Sequence, residues 1–206
     1  NSFWYIDGLC KMLIMYDFDT PHGPFSMDHS TARVHRYENV RINVVNRVIT
    51  GMAITNDRTL LISDAEKNRI LEVDIDKSIR LGDARENYNI YSSANNKSFD
   101  YALYNAPYRV FGIIDKPTGL TEHNNIIYAI EYNTGNIKRW YKNGSSLDTV
   151  INKKKQQKGW ANIIIKDYKL YAINSLDSTI NINENILKYS TNINKCYECG
   201  INCYLC

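Results

Sequence analysis

Three histidines fall close together near the start of the chain, His22, His29 and His35, with Asp28 beside the second. Neutral imidazole and carboxylate can together hold zinc or copper, and three such ligands around an open position could activate a water. Their spacing matches no compact metal signature, and His-Glu-x-x-His is absent. His22 sits in Thr20-Pro21-His22-Gly23-Pro24, which reads as a turn. His35 shares a strand face with Arg33 and Tyr37 if that stretch is extended, and would then simply be exposed. His123 is the one histidine outside this stretch. No Gly-x-Ser-x-Gly elbow, phosphate loop or dinucleotide fingerprint occurs, and no local sequence arranges Ser, His and Asp as a triad.

Cysteine is the second chemical signal. Cys196, Cys199, Cys203 and Cys206 form C-x2-C-x3-C-x2-C, and Cys10 stands apart. Four thiolates could bind zinc, but knuckle pairs are normally separated by a longer loop. Disulfides fit an extracellular chain better, and free thiols are the third reading. The expectation is that the four are oxidised, with Cys10 as a further candidate partner. Five is an odd number, so one thiol is free or pairs outside the chain. Asn96-Lys97-Ser98 and Asn143-Gly144-Ser145 are glycosylation sequons in expected loops, though an Asn-rich chain generates such triplets by chance.

The third set is repeated. Asp7, Asp64, Glu131 and Asn174 end four related apolar segments: Trp4-Tyr5-Ile6, Leu61-Ile62-Ser63, Tyr128-Ala129-Ile130 and Tyr171-Ala172-Ile173. An apolar residue follows six positions later in each copy: Leu13, Ile70, Ile137 and Ile180. Polar tips such as Ala65-Glu66-Lys67-Asn68 and Tyr132-Asn133-Thr134-Gly135 lie between, so each copy reads as a hairpin. Gly51, Gly119 and Gly159 open a further strand before three of the copies, where a missing Cβ permits close backbone approach. The four repeated polar residues have two readings. They could form a ring of side chains on one face that binds a cation or basic ligand, or each could cap its own turn.

The copies are 57, 67 and 43 residues apart. A propeller blade takes about 40–45 residues. The last interval is a plain blade, and the first two are blades with insertions near 18–45 and 78–116. The second insertion carries Tyr88, Tyr91, Phe99, Tyr101, Tyr104, Tyr108 and Phe111. Exposing that many rings would leave a large apolar surface, so Phe99, Tyr101 and Phe111 are expected to be largely buried. Residues 51–76, 119–142 and 159–183 should each form consecutive antiparallel strands, with Leu61, Tyr128 and Tyr171 equivalent.

Gly51-Met52-Ala53-Ile54 through Ile70 resembles an NHL repeat, and Pro117-Thr118-Gly119-Leu120 through Ile137 resembles a second. The copy from Gly159 to Ile182 departs, with Asn174 for the acidic residue and Thr179 where Arg69 stands. The N-terminal copy keeps only its second half. The resemblance covers about half the chain. It implies an all-β propeller of NHL type with six blades in a closed ring. This chain supplies about four, over residues 1–190, ahead of a cysteine-rich segment at 191–206. Either the chain forms a small propeller by itself or, the favoured expectation, further chain beyond both termini completes a six-bladed ring. NHL-type propellers include amidating lyases, RNA- and protein-binding modules and structural ectodomains, so the fold alone does not select a function.

Composition narrows the field. The formal charge is +3, and the densest basic run is Lys153-Lys154-Lys155 followed by Lys158. No aromatic and basic stripe accompanies it, so nucleic-acid binding is not expected. No apolar run approaches the ~18 residues of a membrane span. The reading that results is a non-catalytic propeller acting as a rigid structural or protein-interaction module, binding a protein partner or itself. Its place would be extracellular, in a secretory lumen or on a virion or particle surface. No cofactor is expected, with calcium or zinc as the weaker alternative. The competing reading is an extracellular metal-dependent enzyme resembling the peptidyl-hydroxyglycine amidating lyases. That reading needs histidines converging from several blades, and His123 alone lies outside the N-terminal stretch.

Overall fold

A computed structural model describes residues 2–18, 32–83, 100–150 and 158–183. Every regular element among them is a β-strand. The first sheet opens with β1 (Ser2–Ile6), β2 (Met12–Phe18) and β3 (Ala32–Arg41). The second contains β4 (Met52–Ile54), β5 (Leu60–Asp64) and β6 (Arg69–Val73). Then come β7 (Ile79–Asp83), β8 (Asp100–Asn105) and β9 (Tyr108–Ile113). The third sheet is a plain meander of β10 (Pro117–His123), β11 (Ile126–Glu131), β12 (Ile137–Tyr141) and β13 (Ser146–Val150). The fourth holds β14 (Trp160–Lys166), β15 (Lys169–Asn174) and β16 (Thr179–Asn183).

The sequence repeat is a repeat of register. Ile6 faces Leu13, Ser63 faces Ile70, Ile130 faces Ile137 and Ile173 faces Ile180, all across the same hairpin. Leu61, Tyr128 and Tyr171 are therefore equivalent. β1 occupies the place of β5, β11 and β15 in its blade.

Hairpin turns follow from local chemistry. Two-residue turns of the twist-matched kind need positive φ at both positions. Asn124 and Asn125, at 51° and 60°, supply this between β10 and β11. Asp167 and Tyr168, at 49° and 58°, do the same between β14 and β15. Asn and Asp tolerate this region through local hydrogen bonding, whereas Tyr168 is held there against its preference.

The stretches expected as insertions divide differently. Within 18–45, β3 is the outer strand of blade 1 itself, antiparallel to β2. Within 78–116, β9 is the fourth strand of blade 2, antiparallel to β6. What is inserted is the β7–β8 hairpin. It leaves blade 2 and joins the outer edge of blade 1, where β8 runs parallel to β3. Asn39 secures the crossing. Its Nδ2 donates to the Ala106 carbonyl at 2.7 Å and its Oδ1 accepts from the Ala106 N–H at 3.0 Å. Phe111 is buried in β9 as expected, Tyr101 is only half-buried in β8, and Phe99 lies outside the described residues.

Packing between sheets uses the two-residue period of a strand. We call the face toward the following blade leading and the opposite face trailing. In β5, Leu60 and Ile62 trail into a core with Leu13, Met15 and Tyr37 of blade 1. Leu61, between them, leads into a core with Leu120, Ile127 and Ala129 of blade 3. In β11, Ile126, Tyr128 and Ile130 lead onto Ile163, Leu170 and Ala172 of blade 4. Central strands are thus apolar on both faces, as strands covered on both sides must be. Gly51 and Gly119 sit at the tightest points. A Cβ on Gly51 would lie 1.9 Å from the Thr118 carbonyl oxygen of blade 3, and one on Gly119 would lie 2.5 Å from the Asn162 Cα of blade 4. Among the described residues the fold is a stack of four propeller-type blades.

Candidate functional site

The four repeated polar residues end the second strand of their blades. Asp7 Oδ1 accepts from the N–H groups of Leu9 and Cys10 at 2.8 and 2.9 Å. Asp64, fully buried, accepts from the Lys67 N–H at 3.3 Å and pairs with the Arg69 guanidinium at 2.8 Å. Glu131 Oε2 accepts from the Thr134 hydroxyl at 2.5 Å and from Asn136 Nδ2 at 3.3 Å. Asn174 Oδ1 accepts from the Leu176 N–H at 2.9 Å, and its Nδ2 donates to the Lys158 carbonyl at 3.1 Å. Each side chain closes the turn that follows it, with donors two to five residues away in the first three.

The opposite strand ends carry a polar cluster that no single motif announced. Lys142 Nζ lies 2.8 Å from Asp57 Oδ1 and 3.5 Å from Glu122 Oε1. Glu122 also accepts from the Asn56 N–H at 2.9 Å. Asp57 comes from the β4–β5 turn, Glu122 from β10 and Lys142 from the end of β12, so the cluster ties blade 2 to blade 3. The Lys142 ammonium, with help from the Thr55 hydroxyl, holds the Asp57 carboxyl below its usual range. Asp57 in turn raises the Lys142 ammonium. The spacing of these residues along the chain, 57, 122 and 142, has no period, so only the packed sheets bring them together.

The histidine set does not form one described site. His22, Asp28 and His29 lie outside the described residues. His35 is in β3, on the face shared with Tyr37, and is half-buried against Tyr104 with ring centroids 4.5 Å apart. The exposed position expected for it is corrected by the β7–β8 hairpin, which brings Tyr104 beside it. Cys10 is a half-buried free thiol in the turn that Asp7 closes. Cys196, Cys199, Cys203 and Cys206 lie outside the described residues, as does the Asn96 sequon. Asn143 is exposed, and its Oδ1 accepts from the Ser145 N–H at 2.9 Å. Among the described residues no group of three or more His, Cys, Asp or Glu side chains could hold a metal ion. No helix among them is long and apolar enough to cross a membrane.

The largest chemical feature left is apolar. The leading face of blade 4 presents Ile164, Tyr171, Ile173, Ile180 and Ile182, with Ile180 and Ile182 exposed by 64% and 56%. The trailing face of blade 1 presents Phe3, Tyr5 and Tyr16, with Phe3 exposed by 63%. The Tyr5 and Tyr16 rings stack at 6.0 Å. Partial burial, the Tyr16 hydroxyl and the nearby Asp7 carboxylate push the Tyr5 phenol up to about 12. Arg36 borders this face, buried, with a hydrogen bond of 2.9 Å to the Tyr101 hydroxyl. A signal for the blade 4 face was present in the sequence: Tyr171-Ala172-Ile173 is apolar at consecutive positions, and Ile180 and Ile182 continue one side of it. Reading that as a surface required knowing that nothing described covers it.

No protein-family model matches the chain, and no curated protein matches it in sequence. Solved structures of similar strand arrangement are found. The computationally designed protein Ika4 is 10% identical at a TM-score of 0.41, over 84% of both chains. A gluconolactonase-like protein is 19% identical at 0.41, over 84% of this chain and 55% of its own. Virginiamycin B lyase from Staphylococcus aureus is 9% identical at 0.44, over 89% of this chain and 66% of its own. The chain therefore spans just over half the length of the first of these natural proteins and just under two thirds of the second. At such identities the likeness does not reach activity.

Proposed function

We propose that the chain is a non-catalytic propeller module of NHL type that works as a rigid protein-interaction surface. The reading is supported by one observation above all. The blades at the two ends of the stack carry exposed apolar faces, Ile164, Ile180 and Ile182 at one end and Phe3 and Tyr5 at the other. Contiguous apolar surface of this kind marks protein contact sites in soluble proteins. The turn residues that could have formed an axial ligand site are bonded within their own turns. We place the module outside the cell, in a secretory lumen or on a particle surface, because the terminal cysteine spacing suits disulfides.

Purified protein tests this in two measurements. Metal analysis is expected to find less than one equivalent of zinc or calcium per chain. Mass spectrometry without reductant is expected to find Cys196, Cys199, Cys203 and Cys206 oxidised. A stoichiometric metal that survives purification would overturn the non-catalytic reading in favour of a metal-dependent enzyme. Four alkylatable thiols would overturn the extracellular placement.

A further inference from the structure

We propose that Asn143 is an acceptor for an N-linked glycan, carried at the tip of the β12–β13 hairpin. This rests on the placement of the module outside the cell or in a secretory lumen, and names a modification that such a placement allows. Among the described residues Asn143 alone begins an Asn-x-Ser or Asn-x-Thr triplet, the sequence that the transfer requires in a secreted chain. Triplets arise by chance in an Asn-rich chain, so what matters is where the fold has put this one. Asn143 and Ser145 are both exposed.

The Asn143 carboxamide is divided between the fold and the solvent. Oδ1 accepts from the Ser145 N–H at 2.9 Å and from the Ser145 hydroxyl at 2.6 Å. Nδ2 donates to no described group. The backbone fixes the rest of the tip. The Gly144 N–H donates to the Tyr141 carbonyl at 2.8 Å, and the Tyr141 N–H donates to the Ser145 carbonyl at 2.9 Å. Gly144 takes a φ of 91°, which glycine adopts without strain. A substituent on Nδ2 therefore breaks nothing that holds the turn. Asparagines that join segments of this chain do the reverse. Asn39, Asn136 and Asn174 spend Nδ2 on the Ala106 carbonyl, the Glu131 carboxylate and the Lys158 carbonyl.

The reaction is a displacement at an anomeric carbon. Its co-substrate is an oligosaccharide joined through that carbon to a lipid pyrophosphate. Asn143 Nδ2 forms the new bond to the anomeric carbon. The bond from that carbon to the pyrophosphate oxygen breaks, and the lipid pyrophosphate leaves with the electron pair. Nδ2 gives up one proton to a base of the transferase and keeps the other. The hydroxyl that the triplet demands is that of Ser145, already in hydrogen-bond contact with the carboxamide. The preceding residue, Lys142, reaches Asp57 across the junction of blades 2 and 3 at 2.8 Å. A glycan beside it reserves these strand ends for solvent and leaves the apolar faces to a protein partner.

Translation of the 206-residue chain behind an added secretory leader, with microsomes present, tests the assignment. Asn96 begins the other Asn-x-Ser triplet, so N96Q isolates Asn143. The N96Q chain is expected to gain a glycan-sized mass that peptide N-glycosidase removes. N96Q/N143Q and N96Q/S145A should both lack it. N96Q/S145T should keep it, because threonine supplies the same hydroxyl. Release in isotopically labelled water should leave the label on an aspartate at position 143, and an enzyme-free sample corrects for spontaneous deamidation of Asn143-Gly144. Release is expected from the native protein, since the hairpin tip is exposed, and the unfolding midpoint of N143Q should match that of the parent. An unmodified N96Q chain protected inside the microsomes would overturn the assignment. So would an equal mass for N96Q and N96Q/N143Q, or release only after denaturation. The oxidation state of the four terminal cysteines is read on other peptides of the same sample, so this inference and the extracellular placement fail separately.

Discussion

Blades 3 and 4 are built on one register, yet one lies inside the stack and the other at its end. Tyr128 in blade 3 is fully buried under blade 4, while its equivalent Tyr171 is only half-buried. The same pair of isoleucines is covered in one case, Ile130 and Ile137, and half or mostly exposed in the other, Ile173 and Ile180. The difference teaches that the repeat specifies a surface at every blade, and that position in the stack decides whether the surface becomes core or contact site. Blade 1 makes the complementary point, since Trp4 and Ile6 pack against blade 2 while Phe3 and Tyr5 face outward.

Truncation should break that equivalence most sharply. Tyr128→Ala is expected to cost about 3–5 kcal/mol, the range for deleting a buried ring. Tyr171→Ala should cost less, about 1 kcal/mol, because Tyr171 is only half-buried. Urea unfolding of the two variants checks the contrast, and equal losses would mean that blade 4 is covered in solution.

Gly51→Ala probes a covered junction from its backbone. The new methyl would meet the Thr118 carbonyl, so blades 2 and 3 must shift. Overpacking of this kind costs about 1–3 kcal/mol. A thermal midpoint equal to that of the parent would show that the junction opens to admit a methyl group without cost.

A smaller effect is expected at Asp148. Arg139 is nearly buried and Asp148 is half-exposed. Asp148→Asn weakens the partner of a buried cation, for which roughly 1–2 kcal/mol is expected, below the ~3–5 kcal/mol of a fully buried pair. Ile182→Arg, which copies the blade 3 residue onto the exposed blade 4 position, should leave stability within about 0.5 kcal/mol.

The smallest effect is acid dependence at the Asp57–Lys142 pair. The folded state depresses the Asp57 pKa, so its stabilising contribution is present above the unfolded value near 3.8 and is lost as pH falls through the lower folded value. Asp57→Asn should therefore flatten the acid limb of a stability profile below about pH 4, and leave it unchanged near neutrality apart from the lost pair. Water screens this exposed carboxylate, so the change is expected to be slight. A slope altered only above neutral pH would contradict the assignment.

The hairpin register was legible from Asp7, Asp64, Glu131 and Asn174 and from the apolar residue six positions after each, because a turn and its two strands are local. The glycines before three blades were legible as points of close approach for the same reason, since a missing side chain has one steric meaning in a strand. Tertiary structure alone decided the rest. β7 and β8 leave blade 2 to extend blade 1, with Asn39 and Ala106 joined across 67 positions, and no local pattern encodes which edge a hairpin will find. Asp57, Glu122 and Lys142 meet only because two sheets stack. Strand alternation shows that Tyr171, Ile173, Ile180 and Ile182 share a face, but burial depends on what lies across from that face, and that is a property of the assembled blades.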